Sequence, residues 1–170
     1  MKAKLLILYS WFIRMITFFF PDIPIVQTFR GWLYSFGMKK CGKRFRPSYD
    51  VVLNRLEKME VGDNVYFACG CVVTGGGEVI IGDNVLFGPN VVISAANHKF
   101  DGTSFTKRYD FGKVTVGSNS WIGGNVSLLK DTCIPHTCIV GAGSVCTKVF
   151  TIPFSLIAGV PAQIIKDFRE

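Results

Sequence analysis

The chain has 170 residues, of which 49% are hydrophobic and 18% are charged, which excludes an intrinsically disordered protein and suits one domain with an extension. Glycine is frequent at 18 residues, but no Gly-x-y period runs through the chain, so a collagen-like rod is excluded. The net charge of +7 suits an anionic partner such as nucleic acid, a phosphate-bearing ligand or an acidic membrane surface.

The first part of the chain, residues 1–45, is apolar and basic and differs from the rest. A helix is predicted over residues 5–20, in which Ser10, Arg14 and Thr17 form one narrow polar stripe on an otherwise apolar surface. The proline that follows ends this helix. The apolar run of 16 residues is shorter than the roughly 20 residues needed to span a bilayer.

A second helix is predicted after Pro24, with Gly37 as its C-terminal cap. One face of this helix is apolar and comprises Ile25, Phe29, Trp32, Leu33 and Phe36. Five cations follow within residues 39–46. Apolar helices beside such a cluster are typical of a membrane-surface anchor, and equally of helices that pack on the body of the protein or on a neighbouring subunit. Nucleic acid is not predicted as a partner, because no nucleic-acid motif accompanies the cluster.

The cysteines and histidines show no metal-binding pattern. The six cysteines include no C-x2-C pair, and His98 and His136 are the only histidines, so no metal site is predicted. The cysteines are interpreted as small apolar residues with reduced thiols. No small-x-small cleavage site follows the first apolar run, so we expect a cytoplasmic protein, either free or held peripherally at the inner face of the membrane.

From residue 61 onwards the sequence repeats every six residues. Large residues recur at one position of the repeat, occupied by Val61, Phe67, Val73, Ile81, Phe87, Ile93, Val116, Ile122, Leu128, Ile134, Val140 and Cys146. Glycine follows six of these twelve residues, and five of the seven asparagines take the fourth position of a repeat, at 64, 84, 90, 119 and 125. This period fits a parallel β-solenoid, in which each repeat is a short strand plus a corner and asparagine or glycine tolerates the positive φ of the corner.

The predicted organisation is therefore a helical segment over residues 1–45, an all-β solenoid over 46–158 and a tail or short helix over 159–170. A polar and charged loop over residues 97–112 interrupts the repeat. Loops that leave a rigid scaffold often carry function. His98 lies where the coil ends and this loop begins, and the residues alone leave open whether it is catalytic or only caps a corner. His136, inside a regular repeat, is predicted to lie at a solvent-facing corner.

Three segments resemble the signatures of the hexapeptide-repeat acyltransferases. Residues 116–126 resemble their I-G-x-x-x-W-I-G signature, residues 140–148 their closing coil, and residues 157–166 their A-G-x-P-A-x-x-I-K exit. The resemblance covers about residues 61–166 and points to sugar O-acetyltransferases of the maltose, galactoside and colanic-acid type.

The resemblance implies a left-handed parallel β-helix, a homotrimer with active sites between neighbouring subunits, and acetyl-CoA as the donor. It implies that His98 is the general base and that the backbone N–H of Gly124 stabilises the oxyanion. Trp121 either walls the pantetheine channel or packs at a corner. The implied donor contacts are Trp121, Gly124, Ala142, Thr147, Lys148 and Lys166.

The coil before His98 departs from the galactoside and maltose enzymes. Residues 67–78 lack the asparagine and aspartate with which those enzymes hold the sugar. They contain three successive glycines, which favour close backbone approach or an open acceptor groove. Asn97 and Asp101 are candidate acceptor contacts. We expect acetyl transfer to a sugar hydroxyl of a glycan or polysaccharide precursor. The alternatives are a small acceptor (serine, an antibiotic or a nucleotide-sugar amine) and a catalytically silent scaffold.

Overall fold

The computed structural model describes residues 2–170, so Met1, the first residue of the predicted N-terminal segment, lies outside the described residues. Two helices precede the strands, α1 (Lys2–Thr17) and α2 (Pro24–Ser35), and both predicted helices are confirmed. Proline at the first turn of α2 suits the helix start, where its missing N–H has no intrahelical partner.

Short strands then wind into a three-sided prism. The first coil contains β1 (Lys40–Cys41), β2 (Arg46–Pro47) and β3 (Val52–Leu53), followed by a 3₁₀ turn (Leu56–Lys58). The second contains β4 (Met59–Val61), β5 (Tyr66–Phe67) and β6 (Val72–Thr74), and the third β7 (Glu78–Ile81), β8 (Leu86–Phe87) and β9 (Val92–Ser94). A hairpin of β10 (Ala96–Phe100) and β11 (Phe105–Phe111) interrupts the winding. The fourth coil contains β12 (Lys113–Val116), β13 (Trp121–Ile122) and β14 (Ser127–Leu128), and the fifth β15 (Cys133–Ile134), β16 (Ile139–Val140) and β17 (Val145–Cys146).

Parallel pairing between coils builds the three faces of the prism. Face A is formed by the first strand of each coil, face B by the second and face C by the third. All twelve residues that the repeat predicts to point inward are at most 2% exposed. The five asparagines of the fourth position all have φ between 55° and 61°. The predicted β-solenoid is therefore confirmed down to the conformation of its corners.

The prism begins earlier than the predicted boundary at residue 46. Its first strand already contains Cys41, and Arg44 takes a φ of 58° at the corner position that Asn64 occupies one coil later. The signal was present in the sequence, because Gly42 follows Cys41 as Gly62 follows Val61. Most of the basic cluster over residues 39–46 consequently lies on the first coil, beside α2, and not on a separate linker.

The predicted short C-terminal helix is wrong. β18 (Ser155–Gly159) and β19 (Ala162–Asp167) form an antiparallel hairpin that extends face B beyond the fifth coil. Gly159, with φ of 107°, makes the turn. The β-branched side chains of Ile164 and Ile165 favour an extended backbone, and β18 offers a free edge on which such a segment can pair.

The N-terminal helices dock on the prism through polar contacts and through a few apolar residues, of which Ile13 and Tyr34 belong to the hydrophobic core. The predicted polar stripe of α1 faces inward, where Ser10 donates a hydrogen bond of 2.6 Å to the carbonyl of Leu53 and Thr17 is fully buried. The predicted apolar face of α2 points outward, and its members are exposed except for the half-buried Leu33. Of the alternatives that the sequence left open, the helices do pack on the body of the protein, but the apolar face of α2 takes no part in that contact. Among residues 2–170, neither helix has the length and apolarity required to cross a bilayer.

The interruption of the repeat is a hairpin and not the irregular loop that the sequence predicted. It leaves the prism after β9 and returns before β12, at the corner between faces C and A, here called the C–A corner. Gly77 allows this exit, because a Cβ there would collide with the carbonyl oxygens of Ala95 and Gly112. Lys130 holds the base of the hairpin, with its Nζ 2.8 Å from an oxygen of Asp110.

Candidate active site

A cleft of about 440 Å³ opens between the hairpin and the C–A corner of the first three coils. One wall belongs to the hairpin and is aromatic, with His98, Tyr109 and Phe111. The opposite wall is polar and comprises Asn54, Arg55, Thr74 and Ser94. Two of the three successive glycines, Gly75 and Gly76, lie between these walls. The sequence left open whether the glycine run serves close backbone approach or an open groove. The structure shows both, since Gly77 allows the close approach and Gly75 and Gly76 line the cleft.

The ring of His98 is held by its own hairpin. Its Nδ1 lies 3.2 Å from the carbonyl oxygen of Thr106, and its ring lies 4.7 Å from that of Tyr109, centroid to centroid. A carbonyl only accepts, so this contact requires the proton of neutral imidazole on Nδ1 and leaves a lone pair on Nε2. The sequence is compatible with three groups that could orient His98, namely the carboxylates of Glu78 and Asp101 and a backbone carbonyl. The structure places the backbone carbonyl of Thr106 at His98. The other two lie elsewhere: Glu78 is 3.8 Å from Lys39, and Asp101 is at the hairpin tip.

The candidate acceptor residues Asn97 and Asp101 are exposed on the hairpin. The Asp101 carboxylate accepts hydrogen bonds from the backbone N–H groups of Ser104 (2.9 Å) and Thr103 (3.0 Å), and these lower the pKa of Asp101. This carboxylate therefore stabilises the turn of the hairpin. Neither residue belongs to the lining of the cleft around His98.

Gly124 and Ala142 lie at the corner between faces B and C, here called the B–C corner, in successive coils. Within the part of the chain that the structure describes, neither residue's N–H donates a hydrogen bond to the protein. The carbonyl of Gly124 accepts from the N–H of Gly143 at 2.9 Å, which fixes the orientation of this corner. Backbone N–H groups without a protein acceptor are suited to bind carbonyl oxygens or an oxyanion.

The other predicted donor residues are spread over the surface. Trp121 is 53% exposed on face B, beside Leu86 and Ile139 in register. Thr147 and Lys148 follow β17 at the C–A corner, where the Lys148 ammonium reaches the side-chain oxygen of Gln163. The exposed Lys166 lies on β19. The structure therefore presents each residue to solvent, and their role in donor binding stays a prediction.

One protomer does not bring the predicted base and the predicted oxyanion donor together. His98 lies at the C–A corner and Gly124 at the B–C corner, with the strands of face C between them. A site that uses both residues requires the B–C corner of a second copy beside the hairpin of the first.

His136 lies exposed at a corner with its ring against Phe154, as predicted. Three of the six cysteines, Cys71, Cys138 and Cys146, are buried. Burial raises the pKa of Cys71 and Cys146 to about 11, so neither is a thiolate near neutral pH. Among residues 2–170, no three His, Cys, Asp or Glu side chains are grouped as metal ligands.

Sequence reasoning missed the polar wall and the aromatic partner of His98. Tyr109 and Phe111 alternate within a seven-residue stretch, a period-two pattern that indicates a strand and could have revealed the hairpin. Asn54 and Arg55 carry no comparable signal. They reach the cleft only because the coils stack, which brings residues about 20 positions apart into register.

Comparison with known proteins shows which family has this architecture. No family model matches the chain. The galactoside O-acetyltransferase of Escherichia coli is 33% identical over 115 residues, which cover 66% of this chain and 55% of that protein. A galactoside acetyltransferase structure in complex with coenzyme A superposes with a TM-score of 0.80 at 25% identity, covering 97% of this chain and 82% of that one. The chain belongs to the hexapeptide-repeat acyltransferase family.

Another solved member of the hexapeptide-repeat acyltransferase family has the same architecture. The maltose O-acetyltransferase of Clostridium difficile superposes with a TM-score of 0.76 at 27% identity, covering 98% of this chain and 90% of that one. The prism accordingly has the left-handed winding of the hexapeptide-repeat acyltransferases. The chain spans about half the length of the curated relatives it matches, between 54% and 57%.

Proposed function

We propose that the protein transfers an acetyl group from acetyl-CoA to a hydroxyl of a sugar, with His98 as the general base. The observation that supports this proposal best is the 3.2 Å contact between His98 Nδ1 and the Thr106 carbonyl, at the wall of a cleft large enough for a sugar ring. The relatives whose names specify galactoside and maltose O-acetylation support the same reaction class.

The proposed chemistry follows from the tautomer of His98. A sugar hydroxyl is a weak nucleophile, and Nε2 accepts its proton as the oxygen attacks the thioester carbonyl. The N–H of Gly124 stabilises the negative charge that develops on the carbonyl oxygen. When the C–S bond breaks, the imidazolium returns the proton to the departing sulfur. No covalent enzyme intermediate is required, which agrees with the raised thiol pKa values of Cys71 and Cys146.

We further propose that the active protein is a homotrimer in which each site lies between two protomers. The separation of His98 and Gly124 onto different corners of one prism supports this assembly. Trp121, Ala142, Thr147, Lys148 and Lys166 remain the proposed donor contacts, with the lysines near the phosphates. Ammonium groups suit phosphates, and a free N–H such as that of Ala142 suits the amide carbonyls of pantetheine.

Acetyl-CoA is expected to raise the thermal unfolding midpoint of the protein, whereas ATP at the same concentration is not. A ligand at 100 times its Kd stabilises the folded state by about 2.7 kcal/mol per site. The shift is measured by calorimetry, with the mass in solution measured by light scattering on the same sample. Absence of a shift at millimolar acetyl-CoA would contradict the proposed donor and favour the silent scaffold. A single-protomer mass would contradict the trimer.

We also propose that the acceptor is a glycan precursor presented at a membrane surface. The support is the outward apolar face of α2, where Ile25, Phe29, Trp32 and Phe36 are between 46% and 74% exposed. Cations adjoin this face: Arg44 and Arg46 share a surface groove with Ile25 and Thr28, and Lys43 shares another with Trp32. Apolar side chains beside cations suit an anionic lipid surface, because lipid tails bury the former and headgroups attract the latter.

The double variant Trp32→Ser, Phe36→Ser is expected to bind anionic phospholipid vesicles at least about tenfold more weakly than wild type, since each buried aromatic contributes about 1.5–3 kcal/mol. Vesicle co-sedimentation measures the effect. The matched control is Ile165→Ser, Phe168→Ser, an exposed apolar pair at the opposite end of the prism. Equal binding by both double variants, or no binding by wild type, would contradict the membrane contact. An oligomer larger than a trimer that covers this face would then be the better explanation.

A further inference from the structure

Among the described residues, those that line the cleft around His98 include one cation, Arg55 on the coil wall, and no carboxylate. Arg55 has φ of 61° and begins the turn between the first and second coils. Its side chain is 31% exposed. The residue thus presents a cation to the same space that the general base faces.

A hydrogen bond to Glu57, a residue that does not line the cleft, orients the guanidinium of Arg55. Its Nε donates to an oxygen of Glu57 at 2.6 Å, and the Glu57 side chain is only 19% exposed. Within residues 2–170, neither terminal nitrogen of Arg55 has a hydrogen-bond acceptor. One carboxylate therefore fixes the direction of the guanidinium and leaves its terminal pair of N–H groups available for a ligand.

Glycine opens the space in front of these free N–H groups. A Cβ at Gly76 would lie 3.2 Å from Nη1 of Arg55 and 3.3 Å from a ring carbon of Phe111, so any side chain there would crowd the gap. Tyr109 and Phe111 of the hairpin and Ile7 of α1 line the same cleft as Arg55. Aromatic faces suit the C–H surfaces of a sugar ring, and a fork of N–H groups suits a carboxylate or phosphate.

We propose that Arg55 selects an acceptor sugar that carries an anionic group, a carboxylate or a phosphate, at a position other than the reacting hydroxyl. This inference rests on the proposed function and specifies its acceptor. Arg55 pairs with the anion by charge-assisted, bidentate hydrogen bonds. The ring then lies against the aromatic wall with a hydroxyl at His98 Nε2. Neutral sugars lack the anionic group and cannot make these charge-assisted hydrogen bonds with Arg55.

The test compares matched acceptors with the full-length protein and saturating acetyl-CoA. One pair is methyl glucoside and methyl glucuronide, and the other is methyl galactoside and methyl galacturonide. Glucose 1-phosphate and galactose 1-phosphate are added to show whether a phosphate or a carboxylate is preferred. The charged acceptors are expected to have kcat/KM values roughly 10- to 100-fold above those of their neutral partners, because hydrogen bonds to charged groups have effects of this size. Arg55→Gln should make the kcat/KM values of charged and neutral acceptors nearly equal. Arg55→Lys should retain part of the preference for charged acceptors.

The matched control is Arg14→Gln, because Arg14 is half-buried like Arg55 and does not line the cleft around His98. This variant should keep the full preference for charged acceptors. Equal kcat/KM values for charged and neutral sugars in wild type, with transfer intact, would overturn the role of Arg55 and leave the proposed function standing.

Binding without turnover separates the two proposals. Calorimetric titration with methyl glucuronide and methyl galacturonide, in the absence of acetyl-CoA, should show binding by wild type and at least about tenfold weaker binding by Arg55→Gln. If these sugars bind in this manner but are never acetylated, the inference about Arg55 holds and the proposed function fails. If no charged sugar binds more tightly than its neutral partner, Arg55 is only a structural partner of Glu57.

Discussion

Replacement of His98 with alanine is expected to lower kcat by about 100- to 10 000-fold, because positioned general bases contribute rate factors of this size. The side chain is exposed, and within residues 2–170 its one hydrogen bond is to the Thr106 carbonyl, so the fold should be retained. Acetyl transfer is measured by release of the free thiol of CoA with the acceptor that wild type prefers. The thermal shift with acetyl-CoA should persist, since His98 lies on the acceptor side.

The other histidine provides the matched control for this prediction. His136 lies at an exposed corner beside Phe154, outside the cleft that His98 lines. His136→Ala should therefore acetylate at the wild-type rate. A folded His98→Ala protein with full activity would remove His98 from the mechanism. Loss of activity together with a lowered unfolding midpoint would instead assign a structural role to the Thr106 contact.

Replacement of Arg30 with alanine is expected to reduce the free energy of unfolding by about 1.5–3 kcal/mol, the range for hydrogen bonds that involve a charged group. The Arg30 side chain is fully buried. It donates to the Thr17 hydroxyl (3.1 Å) and the Pro47 carbonyl (2.8 Å), and lies 3.3 Å from the Asp22 carboxylate. These contacts join α1, α2 and the first coil, so their loss leaves buried acceptors without a donor.

Urea unfolding of wild type and variants measures this effect. Arg14→Ala is the control, because Arg14 is also an arginine of the helical segment, in the polar stripe of α1, but is only half-buried. We expect this substitution to change the free energy of unfolding by no more than about 0.5 kcal/mol. Arg30→Lys should lie between the two, since lysine keeps the charge but lacks the planar fork. If Arg30→Ala unfolds at the wild-type urea concentration, the helices are held by other contacts.

The site was predictable from the sequence only in part. His98 was identified as a residue at the point where the repeat stops, and the structure places it on the wall of a cleft beside the hairpin. Its orienting partner was not identifiable, because Thr106 reaches His98 only through the antiparallel pairing of the hairpin. Asn97 and Asp101 were selected for their proximity in sequence, whereas Arg55 lines the cleft from a position 43 residues before His98.

The N-terminal helices show the same limit of prediction from sequence, here for the face of a helix that contacts the prism. Their existence and the polar stripe of α1 followed from periodicity and proline, although α1 begins and ends three residues before the predicted helix. The sequence left open what the helices contact, and the structure turns the apolar face of α2 outward. Ser10 and Arg30 instead donate hydrogen bonds to carbonyl oxygens of the first coil, and Thr17 accepts one from Arg30.

The sequence by itself determined the β-helix, since a six-residue period with asparagine or glycine at the corners is incompatible with a helix or an ordinary hairpin. Each inward residue acts within its own coil, so local pattern suffices. Only the tertiary structure decided which residues surround His98. The cleft combines the hairpin, the glycine run and the first coil, and stacking and hairpin pairing bring these distant segments together. Such contacts depend on where the chain returns in space, which no local pattern encodes.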